Sequence, residues 1–205
     1  MGSTTLLDII GSFFIGGILL IMGMRLNAES NENTAVYNGN YILQMNITTL
    51  ISLLETDFRR IGYCRDWTKI PDPSQAVRIA DTSRLRYWTD VNNAGHLDSI
   101  TYYVGPPSEL SSTPNPYDRY LYRQVNTNTA LQMNLGVTQF NFIFKDALDD
   151  TIHFPITNPA NVYYMQLTVQ VQSAVPYAQE YMNDPSQYDV FWKELRLVTK
   201  NLKNR

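Results

Sequence analysis

The chain has 205 residues, 17 % of them charged, with a formal net charge of −3. That balance excludes a strong polyanion-binding field, so nucleic acid is not expected among the partners. A single cysteine, Cys64, excludes an intrachain disulfide, and the fold must be held by packing.

The first element is TTLLDIIGSFFIGGILLIMGM, residues 4–24. About 20 apolar residues in helix cross a hydrocarbon core, and Leu6 to Met24 reaches that length. MGSTT carries no basic residue and RLNAES is a poor cleavage site, so an uncleaved single-pass anchor fits better than a signal peptide. Arg25 on the C-terminal side is a weak vote for a cytoplasmic C-terminus. Gly16 and Gly17 allow close approach of a neighbouring helix, and Ser12 with Gly16 forms a small-xxx-small pair. Asp8 is the odd residue. A carboxylate at the centre of a membrane helix costs roughly 2.5–3.5 kcal/mol, and less near the end. Either the helix N-terminal dipole holds it at the interface, or it meets a positive group on a neighbouring subunit.

Residues 25–40 are polar, and Asn38-Gly39-Asn40 reads as a breaker. A second helical stretch follows. Leu43, Ile47, Leu50, Leu54, Phe58 and Ile61 recur with a period near 3.6 and predict one face packed on the globular domain. Ile42, Met45 and Leu53 widen that stripe, Gly62 is placed to end the helix, and Arg59 and Arg60 suit its last turn.

From about Ala76 the period changes to two. Residues 84–91 and 96–104 predict a hairpin around a turn at 92–95. Residues 106–116 form a loop, 120–125 a short strand, and 136–146 a strand with Phe140, Phe142 and Phe144 on one face. Residues 161–174 alternate most clearly, with Tyr163, Met165, Leu167, Val169 and Val171 facing one way. A polar loop at 175–189 and a final strand at 190–200 complete the chain, followed by a basic tail. The fold class is therefore α+β: a long N-terminal helix, apolar and then amphipathic, packed on an antiparallel sheet. The divisions are a membrane or filament-core helix at 1–26, an extramembrane helix at 27–64 and a β domain at 65–205.

The order of these stretches resembles the type IV pilin-like superfamily, nearest to its minor pilins and minor pseudopilins. TTLLD at 4–8 is similar to the family's mature start, usually Phe-Thr-Leu-Ile-Glu. LLETDFRRIGYC at 53–64 is similar to Leu-x-x-Asp-Leu-Arg-x-Ala-Gly-Tyr at the end of the long helix, and the strands after it follow the order of the family's sheet. The resemblance implies a structural subunit of an extracellular filament, anchored in the cell envelope before assembly, whose partners are identical or related subunits. It also implies that Asp8 pairs with the terminal amine of the next subunit; Arg25 of another subunit or a hydroxyl are the alternatives. A minor pseudopilin of a secretion machine, and a non-polymerising membrane protein with a ligand-binding β domain, are the other readings.

Catalysis is not expected. His96 and His153 are the only histidines, and Cys64 has no base partner in sequence. No cofactor is expected either. The one metal alternative is calcium at Asp90, Asn92 and Asp98, which partly imitate a calcium loop; the competing reading is a turn that uses Asn-Asn-Ala-Gly for its backbone angles. The sequon Asn46-Ile47-Thr48 sits inside the predicted helix.

Overall fold

The computed structural model describes residues 2–70, 72–174 and 188–198. The chain divides into two units, Met1–Tyr41 and Ile42–Arg205. Helix α1 runs from Gly2 to Phe58 and supplies the whole described part of the first unit and the first element of the second. It does not break at Asn38-Gly39-Asn40. A glycine inside a helix costs about 1 kcal/mol relative to alanine, too little to stop a helix already propagating from both sides.

In the second unit, α1 lays its stripe on the sheet. Leu43, Leu50, Leu54 and Phe58 are buried, and Ile47 and Ile51 pack partly buried against the same core. Ile42 and Met45, expected to widen the stripe, are exposed, because they fall on its flanks where the sheet does not reach. Ile61 is buried too, although the helix ends at Phe58 and leaves it in the following turn. Gly62 takes φ +73°, and its N–H bonds to the Trp88 carbonyl at 2.9 Å. The chain can therefore reverse where a side-chain-bearing residue would be strained.

Seven strands form one antiparallel sheet in sequence order: β1 (Val77–Ala80), β2 (Arg84–Thr89), β3 (Asp98–Val104), β4 (Arg119–Val125), β5 (Leu131–Lys145), β6 (Tyr164–Gln172) and β7 (Val190–Val198). Core and solvent residues alternate in β2, in β6 and in the second half of β5. Met165, Leu167, Val169 and Val171 of β6 are buried, and Phe140, Phe142 and Phe144 of β5 lie beside them. Together with Leu85, Tyr87, Ile100, Tyr102 and Leu121 they make one core with the helix stripe.

Several boundaries differ from the sequence reading. β6 runs from Tyr164 to Gln172 rather than over 161–174, and Tyr163 falls outside it. β1 is only four residues long with a register shift, too short to announce itself by periodicity. β5 starts at Leu131 rather than 136, since Gly136 at φ +71° interrupts the alternation and leaves Val137 and Thr138 both buried. A Cβ at Gly136 would lie 2.6 Å from the Gln172 carbonyl oxygen. The link between β2 and β3 spans residues 90–97, longer than the turn at 92–95. Most of the expected polar loop (175–187) and the basic tail from residue 199 lie outside the described residues.

Candidate functional site

The predicted assembly residues all lie in the first unit, on α1. Among the described residues this is the one helix long and apolar enough to cross a membrane. Its large side chains from Leu6 to Leu26 are exposed on every side, up to 82 % at Phe13, and none of that candidate span is buried. At about 100° per residue, Asp8, Ser12 and Gly16 fall in one row along the helix, with Gly23 in the same row. Gly17 falls on the opposite side from Asp8. Ser12 donates its hydroxyl to the Asp8 carbonyl oxygen at 2.7 Å, so the hydroxyl is satisfied without a second helix. The position of a Cβ at Gly16, Gly17 or Gly23 has nothing within 4 Å. The row is thus a shallow polar-to-bare strip on an otherwise apolar cylinder, able to accept another helix at short range.

Asp57, Asp90 and Asp118 are the buried carboxylates among the described residues of the second unit, and the first two brace the fold in a way that the sequence reading did not single out. Asp57 is 7 % exposed, under the end of α1. Its Oδ2 accepts the Tyr102 hydroxyl at 2.6 Å and Arg123 Nε at 2.6 Å, and Arg123 Nε also reaches the Tyr102 oxygen at 3.1 Å. Burial, reinforced by the Asp57 carboxylate, pushes the Tyr102 hydroxyl far above its ordinary range. Burial and then the charge of Asp57 also raise Tyr87, whose buried hydroxyl has no hydrogen-bond partner among the described residues. The signal for Asp57 was present: it lies seven residues after Leu50 and three after Leu54, on the face that is buried.

The second carboxylate is Asp90, which has no solvent exposure. Oδ1 accepts the Ala94 N–H at 3.1 Å, and Oδ2 accepts those of Arg65 at 3.2 Å and Gly95 at 2.8 Å. The other two calcium candidates are engaged in the same way. Asn92 Oδ1 accepts from Ala94 N; Asp98 Oδ2 accepts from Val91 N and Oδ1 from Asn126 Nδ2. These oxygens face N–H donors and hold a loop in which Asn93 and Gly95 have positive φ. Among the described residues no three His, Cys, Asp or Glu side chains gather as metal ligands. Arg60, expected in the last helical turn, lies beyond it and donates to the carbonyls of Val91 and Asp90 and to Asn93 Oδ1, each at 2.9 Å.

Burial alone would raise the Asp90 carboxyl, but the N–H groups of Gly95, Arg65, Ala94 and Asn93 outweigh it and hold it below the usual carboxylate range. A depressed folded-state pKa stabilises above the unfolded value, and that stability is lost as pH falls through the folded one. Asp90→Asn is therefore expected to be less stable at neutral pH and to lose part of the wild type's acid-side decline, read from melting curves between neutral and acid pH. Equal melting points at neutral pH would show that the loop does not need the carboxylate. Calcium is expected to leave the wild-type melting curve unchanged.

Searched against protein-family models, curated proteins and solved structures, the chain matches none.

Proposed function

We propose that this protein is a structural subunit of a pilin-like filament, held in the membrane of the cell envelope by the start of α1 and then drawn into a helical assembly of identical or related subunits. The observation that supports this reading is the apolar helix from Leu6 to Leu26, exposed on all sides, with Asp8, Ser12 and Gly16 in one row. Lipid alone would be served by leucine throughout. A carboxylate and bare glycines on one row suit close helix–helix packing, in which a desolvated charge is tolerated only when paired. The β domain would form the outer surface, and no catalysis or cofactor is proposed for it. A tip-located minor subunit that primes secretion is the nearest alternative, and a membrane protein that never polymerises is the more distant one.

Electron microscopy of material sheared from cells or assembled from purified chain is the direct test. Filaments from the wild type, and few or none from Asp8→Ala with an unchanged β-domain melt, are expected. Normal filament yield from Asp8→Ala removes the role of Asp8, and wild-type chain that stays unpolymerised under all conditions removes the filament reading.

A further inference from the structure

Asp118 stands just before β4 and is 2 % exposed. Its Oδ1 is buried and has no hydrogen-bond partner among the described residues. The surroundings are rich in oxygen and short of protons. The Thr113 hydroxyl lies 3.0 Å from the Leu110 carbonyl oxygen and 3.2 Å from that of Asn115, and it also bonds the Asp118 carboxylate. One hydroxyl proton thus faces three acceptors and can serve only one of them well. Asn115, 1 % exposed, has no donor to spare. Its Oδ1 accepts the Tyr117 N–H at 2.9 Å, and its Nδ2 donates to Gln172 Oε1 at 3.1 Å and to the Ser173 carbonyl at 3.0 Å. An ionised carboxylate in this place carries the desolvation cost of a bond it does not make.

The same few residues moor two other segments. Asn115 holds the end of β6 at Gln172 and the residue after it, Ser173. The Tyr188 hydroxyl, two residues ahead of β7, donates to the Pro114 carbonyl at 3.2 Å. The Ser173 N–H donates to the Asp189 carbonyl at 3.0 Å. The points where the chain leaves β6 and returns to β7 are therefore both tied to residues 110–118. The titratable and charged groups nearby are Tyr117 and Arg119 beside Asp118 in the chain, and Tyr188 and Asp189 on the segment before β7. None of them is ion-paired with Asp118.

We propose that residues 110–118 are a proton-operated clasp: a proton on Asp118 fastens them to the adjoining ends of β6 and β7, and loss of that proton loosens them. A protonated carboxyl supplies the donor that the oxygens of Leu110, Thr113 and Asn115 lack. Burial raises the Asp118 carboxyl above the usual carboxylate range, against the weaker opposing bond from Thr113. A raised folded-state value gives stability that is fully present below the unfolded value and is lost as pH rises through the folded one. The sign is opposite to that of Asp90, so the two carboxylates respond to acid in opposite directions.

The experiment is hydrogen–deuterium exchange of the full chain in detergent, read by mass spectrometry, for the wild type and Asp118→Asn at matched pH from neutral to acid. Matching the pH cancels the intrinsic pH dependence of amide exchange, and the variant's side-chain amide supplies a donor at every pH. At neutral pH the amides of 110–118 are expected to exchange at least about threefold faster in the wild type, and at acid pH the difference is expected to vanish. Peptides from β2 and β3 are expected to exchange alike in both proteins. Thr113→Val removes the hydroxyl that holds the carboxyl down, so the pH midpoint of protection is expected to move toward neutral. That midpoint decides the matter should Asp118→Asn fold poorly. The proposal is overturned by equal exchange at neutral pH, by a difference that does not change with pH, by a midpoint that Thr113→Val leaves in place, or by protection that follows added sodium or calcium at constant pH. The measurement is made on unpolymerised chain and does not depend on filament formation.

Discussion

Asp57→Ala is expected to lower the thermal midpoint of the chain by on the order of 10 °C, from a loss of about 3–5 kcal/mol. The Asp57 side chain is 10 % exposed, and the Arg123 side chain opposite it is 18 % exposed. Removing the acid leaves a largely buried guanidinium and the Tyr102 hydroxyl without the partner that both share. The Tyr87 hydroxyl, in the same region, also has no hydrogen-bond partner among the described residues. Asp57→Asn keeps an acceptor oxygen and loses the charge, and should cost less. Thermal melts of the three proteins in one detergent make the comparison. A change below about 1 kcal/mol for Asp57→Ala would show that the pair merely breaks even against its desolvation.

The helix stripe and the alternation of β6 were legible because each is a property of neighbouring residues. Leu43, Leu50 and Leu54 repeat at the helical period, and Met165 to Val171 at the strand period, whatever lies across from them. The Asp57 brace has no such local signature. Its partners come 45 and 66 residues later, from β3 and β4, and only the sheet register brings them together. The Asp90 brace is hidden for a related reason. Its spacing to Asn92 and Asp98 imitates a metal loop, yet its oxygens meet N–H groups, one of them from Arg65, 25 residues earlier. Ser12 and Gly16 were legible as a small-xxx-small pair, and helix geometry places Asp8 in the same row.

Phe58→Ala is expected to cost about 3–5 kcal/mol, comparable with the loss of Asp57. The ring is 2 % exposed and closes the buried end of α1. It meets Tyr102 edge-on at 5.3 Å and Tyr87 edge-on at 5.9 Å, with Phe142 6.0 Å away. Truncation opens a cavity that three large rings on three different strands line and that they cannot fill without leaving their rotamers. Each edge-on contact adds about 0.5–1.5 kcal/mol beyond area. Phe58→Leu refills much of the volume and should recover more than half of the loss. Phe58 and Asp57 also share Tyr102, one through its ring and the other through its hydroxyl. The double variant should therefore lose less than the two single losses combined, by about 0.5–3 kcal/mol, because a displaced Tyr102 ring can be lost only once. Denaturant melts of the two single variants and the double variant read this directly. Strict additivity would mean that the ring contact and the buried ion pair stabilise the end of α1 independently.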